Sequence, residues 1–250
     1  MGKKKKDRRS LWMGLSLVLM FFVLLGFYYL YPRFVRYPGF GIPIPSGYSI
    51  HGIDVSHYQG RINWNEVAKM NIRGITVQFC IIKASQGLTL SDSRFAENWN
   101  KAKKAGIVRG AYHYFEPGVD GRLQAKRFLA IVNPEKGDLV PVVDIETTNG
   151  LSRDALIQSL SECLQAVELQ CGKKPIIYTG ADFYTKYLEE AFDEYPLWVA
   201  HYFAPFGPRV GRKWQIWQHS EKGRVNGISK AVDFNVFNGN QAEFGKLLLN

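Results

Sequence analysis

The stretch VPVVDIE, residues 140–146, decides how this chain is read. Its β-branched apolar run is short and compact, as a buried strand is. Side chains two apart on a strand point the same way. Asp144 and Glu146 therefore stand side by side at the strand's C-terminal end.

Working outward, strand-like and helix-like segments alternate. GIDVS (52–56), ITVQFCIIKAS (75–85), VRGAYHYF (108–115), PIIYTG (175–180), LWVAHY (197–202), WQIWQHS (214–220) and VDFNVF (232–237) read as strands. Residues 91–105, 120–132, 151–170 and 182–191 read as helices. The third is the clearest, with Leu156, Leu160, Cys163, Leu164 and Val167 in one stripe and Gly172 and Pro175 ending it. This alternation calls for a parallel sheet with helices outside. With about eight strands the sheet closes into a TIM-like β/α barrel. Clear helices are missing from the last part, so the barrel is expected to be irregular there. The site of such a barrel lies at the C-terminal ends of its strands.

The chain has 250 residues and a net charge of +10. Residues 1–50 carry +7 of that charge, which leaves no basic groove inside the domain for nucleic acid. Leu11 to Tyr31 is uncharged and mostly apolar. As a helix it would be about 31 Å long, near the thickness of a bilayer's hydrocarbon core. Lys3, Lys4, Lys5, Lys6, Arg8 and Arg9 precede it and hold that flank in the cytoplasm. The run is too long, and too aromatic at its end, for a cleaved signal peptide. Four parts are expected: a basic cytoplasmic tail (1–10), a transmembrane signal anchor (11–31), a Pro/Gly linker (32–50) packed loosely, and a barrel domain (51–250) outside the cytoplasm. Cys163 and Cys171 sit about 12 Å apart along one helix, too far for a disulfide. The five histidines show no metal-binding spacing, and no phosphate or dinucleotide fingerprint is present, so neither metal nor cofactor is expected.

The chemistry rests on carboxylates. Two acids as close as Asp144 and Glu146 cannot both ionise easily, so one keeps its proton near neutral pH. Cleaving a glycosidic bond needs such a proton, together with a negative charge facing the oxocarbenium-like centre. Asp54 lies within the apolar GIDVS strand, where an acid is costly without a partner, and Asp233 is placed similarly in VDFNVF. Tyr58, Tyr112, Tyr114, Tyr178, Trp198, Tyr202 and Trp217 gather at the expected strand ends, where flat rings suit sugar.

The pieces GIDVSHYQGRINW, FCIIKASQG, GAYHYF, PVVDIE, PIIYTG, LWVAHY, WQIWQ and VDFNVF, in that order, resemble the family 25 glycoside hydrolases, lysozymes often called the Chalaropsis type. The resemblance runs from His51 to about Phe237. It implies a barrel that hydrolyses the β-1,4 bond between N-acetylmuramic acid and N-acetylglucosamine in peptidoglycan. It gives Glu146 the general-acid role and Asp144 that of nucleophile or orienter of the substrate's acetamido group. Asp54 and Asp233 match further acidic positions. One departure stands out: the family usually has Lys-x-Thr/Ser-Glu-Gly where this chain has Lys83-Ala84-Ser85-Gln86-Gly87. A wall-binding module without catalysis, and a hydrolase of another amino-sugar polymer such as chitin, are the alternative readings.

Overall fold

The computed structural model describes residues 8–30 and 34–250. In chain order the elements are α1 (Arg8–Leu30), β1 (Phe34–Tyr37), β2 (Ile42–Pro45), β3 (His51–Val55), α2 (Trp64–Lys69), β4 (Asn71–Ile72), β5 (Ile75–Thr76), β6 (Phe79–Gln86), β7 (Leu90–Ser91), α3 (Phe95–Lys104) and β8 (Val108–Tyr114). There follow α4 (Gly121–Val132), β9 (Val142–Asp144), α5 (Arg153–Cys171), β10 (Ile176–Gly180), α6 (Ala181–Phe183, running on as one π-helical turn, Tyr184–Leu188), β11 (Leu197–Ala200), β12 (Ile216–Gly223), β13 (Val232–Phe237) and α7 (Gln241–Gly245).

Among the described residues, eight strands close on themselves in the order β3, β6, β8, β9, β10, β11, β12, β13, with β7 paired to the end of β6. The pairs from β3–β6 round to β11–β12 are parallel. β13 is antiparallel to both its neighbours, β12 and β3. That reversal is the irregularity expected of the last part, where no helix separates β11 from β12 or β12 from β13.

Alternation along the strands sorts the core into two layers. Ile81, Val142, Ile176, Trp198 and Ile216 fill the barrel. Their neighbours Ile82, Val143, Ile177 and Val199 pack outward under the helices, against Leu156, Leu160 and Leu164 of α5 among others. α5 is capped as its sequence predicts, by Ser152 accepting from the Ala155 amide and by Gly172 in the left-handed conformation. At the barrel floor, Phe244 of α7 packs against Phe79 and Phe237. Gly52 is required there, since any side chain on it would run into the Phe79 ring. The floor is thus plugged, and the opposite rim stays open.

Several expected boundaries move. The single strand over 75–85 is a short hairpin partner, β5, followed by β6. VPVVDIE is regular only from Val142 to Asp144. Residues 32–50, expected as a loosely packed linker, contain the β1–β2 hairpin. Phe40, Ile42 and Ile44 are buried in the main core, Phe40 meets Phe234 at 5.0 Å between ring centroids, and the Arg224 amide donates to the Phe40 carbonyl. α1 exposes the apolar side chains described along it, from Trp12 to Leu25. Among the described residues, no helix is long and apolar enough to cross a membrane. The expected span ends at Tyr31, which lies outside them.

Candidate active site

A cleft of about 170 Å³ opens at the rim, lined by Asp54, Asp144, Glu146 and Asp233 together with Tyr112, Tyr178, Trp198, Tyr202 and Gln218. A larger apolar hollow of about 430 Å³ lies beside it across Tyr202, walled by residues such as Phe34, Ile42 and Phe203. It holds none of the four acids, so the chemistry belongs to the smaller cleft.

Strand geometry explains the convergence. Asp54 faces inward because its neighbours Ile53 and Val55 pack outward. Asp144 faces inward next after Val142. Glu146 lies two residues on, past the end of β9, and faces the mouth of the cleft. Asp233 arrives differently. It is near the start of β13, and because β13 runs backwards that start lies at the C-terminal end of β3, with Asp233 directly opposite Asp54.

Asp54 is held most completely. Its Oδ2 accepts from Gln218 Nε2 at 3.0 Å and from Asn235 Nδ2 at 2.7 Å. Gln218 Oε1 in turn accepts from the hydroxyls of Tyr178 at 2.9 Å and Tyr202 at 2.7 Å, and Asn235 Oδ1 accepts from Trp198 Nε1 at 2.8 Å. Burial pushes the Asp54 carboxyl up to about 6, with the two amides pulling the other way. Burial, and then the charge of Asp54, push Asp233 up to about 8.

Burial, reinforced by the neighbouring charge of Glu146, holds Asp144 well above the usual carboxylate range. Enclosure raises Glu146 too, while a hydrogen bond with Asp144 and the Lys83 ammonium oppose that rise. Both carboxyls line the same cleft, and burial favours a proton on the pair. The deeper burial of Asp144 places it there. Asp144 Oδ1 is buried without a partner. It is an acceptor left for a ligand's N–H or O–H.

The aromatic expectations divide. Tyr112, Tyr178, Trp198 and Tyr202 line the cleft. Tyr58 is 66% exposed, its ring against His57 at 4.3 Å, and Tyr114 sits half-buried beside Lys83; neither lines the cleft. Trp217 is corrected: it points out of the barrel, packs with Ala204 and Val236, and donates Nε1 to the His201 carbonyl at 2.9 Å. Its neighbours Ile216 and Gln218 take the inward positions. Gln218, Asn235 and Lys83 are the residues the sequence reading omitted. Among the described residues, no cluster of His, Cys, Asp or Glu is arranged to hold a metal ion. Burial keeps His113 and His219 neutral, pushed down to about 4 and about 3.

Residues 53–228 match the family profile described as Glycosyl hydrolases family 25. Over 204 residues the chain is 48% identical to "Uncharacterized protein YegX" of Escherichia coli O157:H7, covering 82% of this chain and 75% of that one. It is 35% identical over 216 residues to "Lysozyme M1" of Streptomyces globisporus, covering 80% and 72%. Its fold matches the solved structure of a family 25 glycosyl hydrolase from Bacillus anthracis with a TM-score of 0.75 and 33% identity, over 82% of this chain and 95% of that one.

Proposed function

The chain belongs to glycoside hydrolase family 25, and from that premise we propose that it is a peptidoglycan hydrolase cutting the β-1,4 bond between N-acetylmuramic acid and N-acetylglucosamine. The observation that carries this reading is the Asp144–Glu146 pair, side by side in the acidic cleft at the barrel rim.

The geometry favours one mechanism over its rival. A retaining enzyme that uses separate acid and nucleophile carboxylates holds them about 5–5.5 Å apart, on opposite sides of the bond. Asp144 and Glu146 instead stand side by side at the end of one strand and line the same cleft, and Asp144 Oδ1 is a buried acceptor with no partner. We therefore assign Asp144 to the substrate's acetamido group rather than to the anomeric carbon. The acetamido N–H donates to Asp144, which stabilises its carboxylate and drives the shared proton to Glu146. Glu146 passes that proton to the glycosidic oxygen as the C–O bond breaks, and the acetamido carbonyl oxygen bonds to the anomeric carbon. Water then opens the cyclic intermediate at that carbon. Glu146 takes the water's proton, and the acetamide is restored. Asp54, its Oδ2 held by two amides, places a further carboxylate in the same cleft.

We also propose that residues 11–31 anchor the chain in the cytoplasmic membrane, basic tail inside and barrel outside. This rests on the length and apolar character of that run and on the exposed apolar side chains of α1. The test of activity is the full chain in detergent with purified peptidoglycan and, separately, chitin. New reducing ends from peptidoglycan alone are expected. Release from chitin alone would favour the other amino-sugar reading, and release from neither would support a binding module.

A further inference from the structure

Position 86 holds glutamine where the family pattern leads one to expect glutamate, and its surroundings explain what the amide does. Lys83 and Gln86 are three residues apart on β6, which on a regular strand would put them on opposite faces. The register of β6 against β8 slips between Lys83 and Ser85. Such a bulge re-aims the side chains that follow it. Gln86 is thereby turned back toward Lys83, whose ammonium donates to Gln86 Oε1 at 3.1 Å. On its other side, Gln86 Nε2 donates to Glu116 Oε1 at 3.0 Å. Gly87 makes room for this, because any side chain there would collide with the Glu116 carboxylate.

These partners fix the amide in one orientation. An ammonium only donates and a carboxylate only accepts, so Gln86 turns its oxygen to Lys83 and its nitrogen to Glu116. A glutamate at 86 would still accept from Lys83 but would set two carboxylates face to face. We propose that Gln86 is a positioning residue that, locked by Glu116, holds the Lys83 ammonium beside the Asp144–Glu146 pair. β8 lies between β6 and β9, with Tyr114 in register with Gln86 on one side and Asp144 on the other, and across it the Lys83 charge favours the ionised form of both acids. Tyr114 and Tyr112 of β8 hold the ammonium over their rings at 5.1 and 6.0 Å. Farther round the cleft, Asp54 and Asp233 act on the same pair or on Tyr112. His113, on the outer face of β8, also feels Lys83 and is buried neutral.

The inference rests on the hydrolase reading for its kinetic test and has a second readout that does not. The full chain is assayed on peptidoglycan from pH 4 to 8 as wild type, Gln86→Leu, Glu116→Ala and Lys83→Met, and as each of the first two combined with Lys83→Met. Releasing Lys83 lets the pair's protons stay on to higher pH. The profiles of Gln86→Leu and Glu116→Ala should therefore move up by roughly half a pH unit or more, and neither change should move the Lys83→Met profile further. Carboxyl ¹³C titration of Glu146 in the same proteins should report the same shifts without turnover. Should Gln86→Leu fail to fold, Glu116→Ala carries the test, its side chain being half-buried and bonded to Gln86. Unmoved titrations and profiles, even with a lower rate, would overturn the proposal. So would equal shifts with and without Lys83. A wild type inactive on peptidoglycan but with the expected titrations would instead overturn the hydrolase reading alone.

Discussion

Asp233 of β13 stands directly across the antiparallel ladder from Asp54 of β3. Burial and the facing acid push Asp233 up to about 8, against about 6 for Asp54. A carboxyl whose folded-state value is raised favours the fold while it is protonated in both states. That contribution is lost as pH climbs from the unfolded value, about 4, through the folded one. Asp233→Asn keeps the shape without the titration. Its melting temperature should match the wild type near pH 4 and rise progressively above it as pH climbs toward 8, each kcal/mol gained adding about 2–4 °C for a domain of this size. Thermal unfolding at the two pH values checks this; a gain independent of pH would contradict it.

Gln218 joins three groups of the cleft, accepting from Tyr178 and Tyr202 and donating to Asp54. Gln218→Leu leaves the buried Tyr178 hydroxyl, the half-buried Tyr202 hydroxyl and one carboxylate oxygen short of a partner, each costing about 1–3 kcal/mol at most. Stability should fall by about that amount once local relaxation is allowed for. The turnover rate on peptidoglycan should drop about tenfold or more, because Asp54 loses one of its two amide donors. Denaturant melts and initial rates measure the two effects separately.

Trp198 and Trp217 separate structure from site. Trp198 floors the cleft, with its indole on Asn235. Trp217 packs outside the barrel against Phe34, Tyr48 and Trp214. Trp217→Phe should lower the melting temperature and leave KM for soluble glycan fragments within about twofold, since its side chain packs away from the cleft. Trp198→Phe should weaken both binding and turnover. Fragment titration with steady-state kinetics distinguishes them.

Phe40 tests whether the barrel fold begins before residue 51. It is fully buried, against Phe234, so Phe40→Ala should cost about 3–5 kcal/mol. A loosely packed linker would show almost no loss in the same denaturant melt.

The barrel was legible because its signals are local and repeated. α5 carries one unbroken apolar stripe between a serine cap and a glycine stop, and its observed burial follows that stripe. The inward positions of Asp54 and Asp144 follow from strand period, and Glu146 carries the same alternation one step past the end of β9. The cleft position of Asp233 comes from the reversal of β13, which a strand's own sequence does not record. In WQIWQHS the bulk of Trp217 drew the assignment, although alternation makes either Trp217 or its neighbours Ile216 and Gln218 face inward, never all three. The β1–β2 hairpin was obscured by its prolines and glycines, while Ile42 and Ile44 already showed the period of two. Glu116 lies past the end of β8, and its pairing with Gln86 depends on a bulge that no propensity announces.

The central claim is that Glu146 delivers the proton that breaks the bond after muramic acid. The direct measurement is to digest purified peptidoglycan with the full chain and with Glu146→Gln, reduce the products with borohydride, and identify the reduced sugar. Wild type should yield reduced N-acetylmuramic acid, and Glu146→Gln should release it about 10²- to 10⁴-fold more slowly, the usual range for losing a general acid. Equal release by the two proteins, or reduced N-acetylglucosamine as the product, would contradict the account.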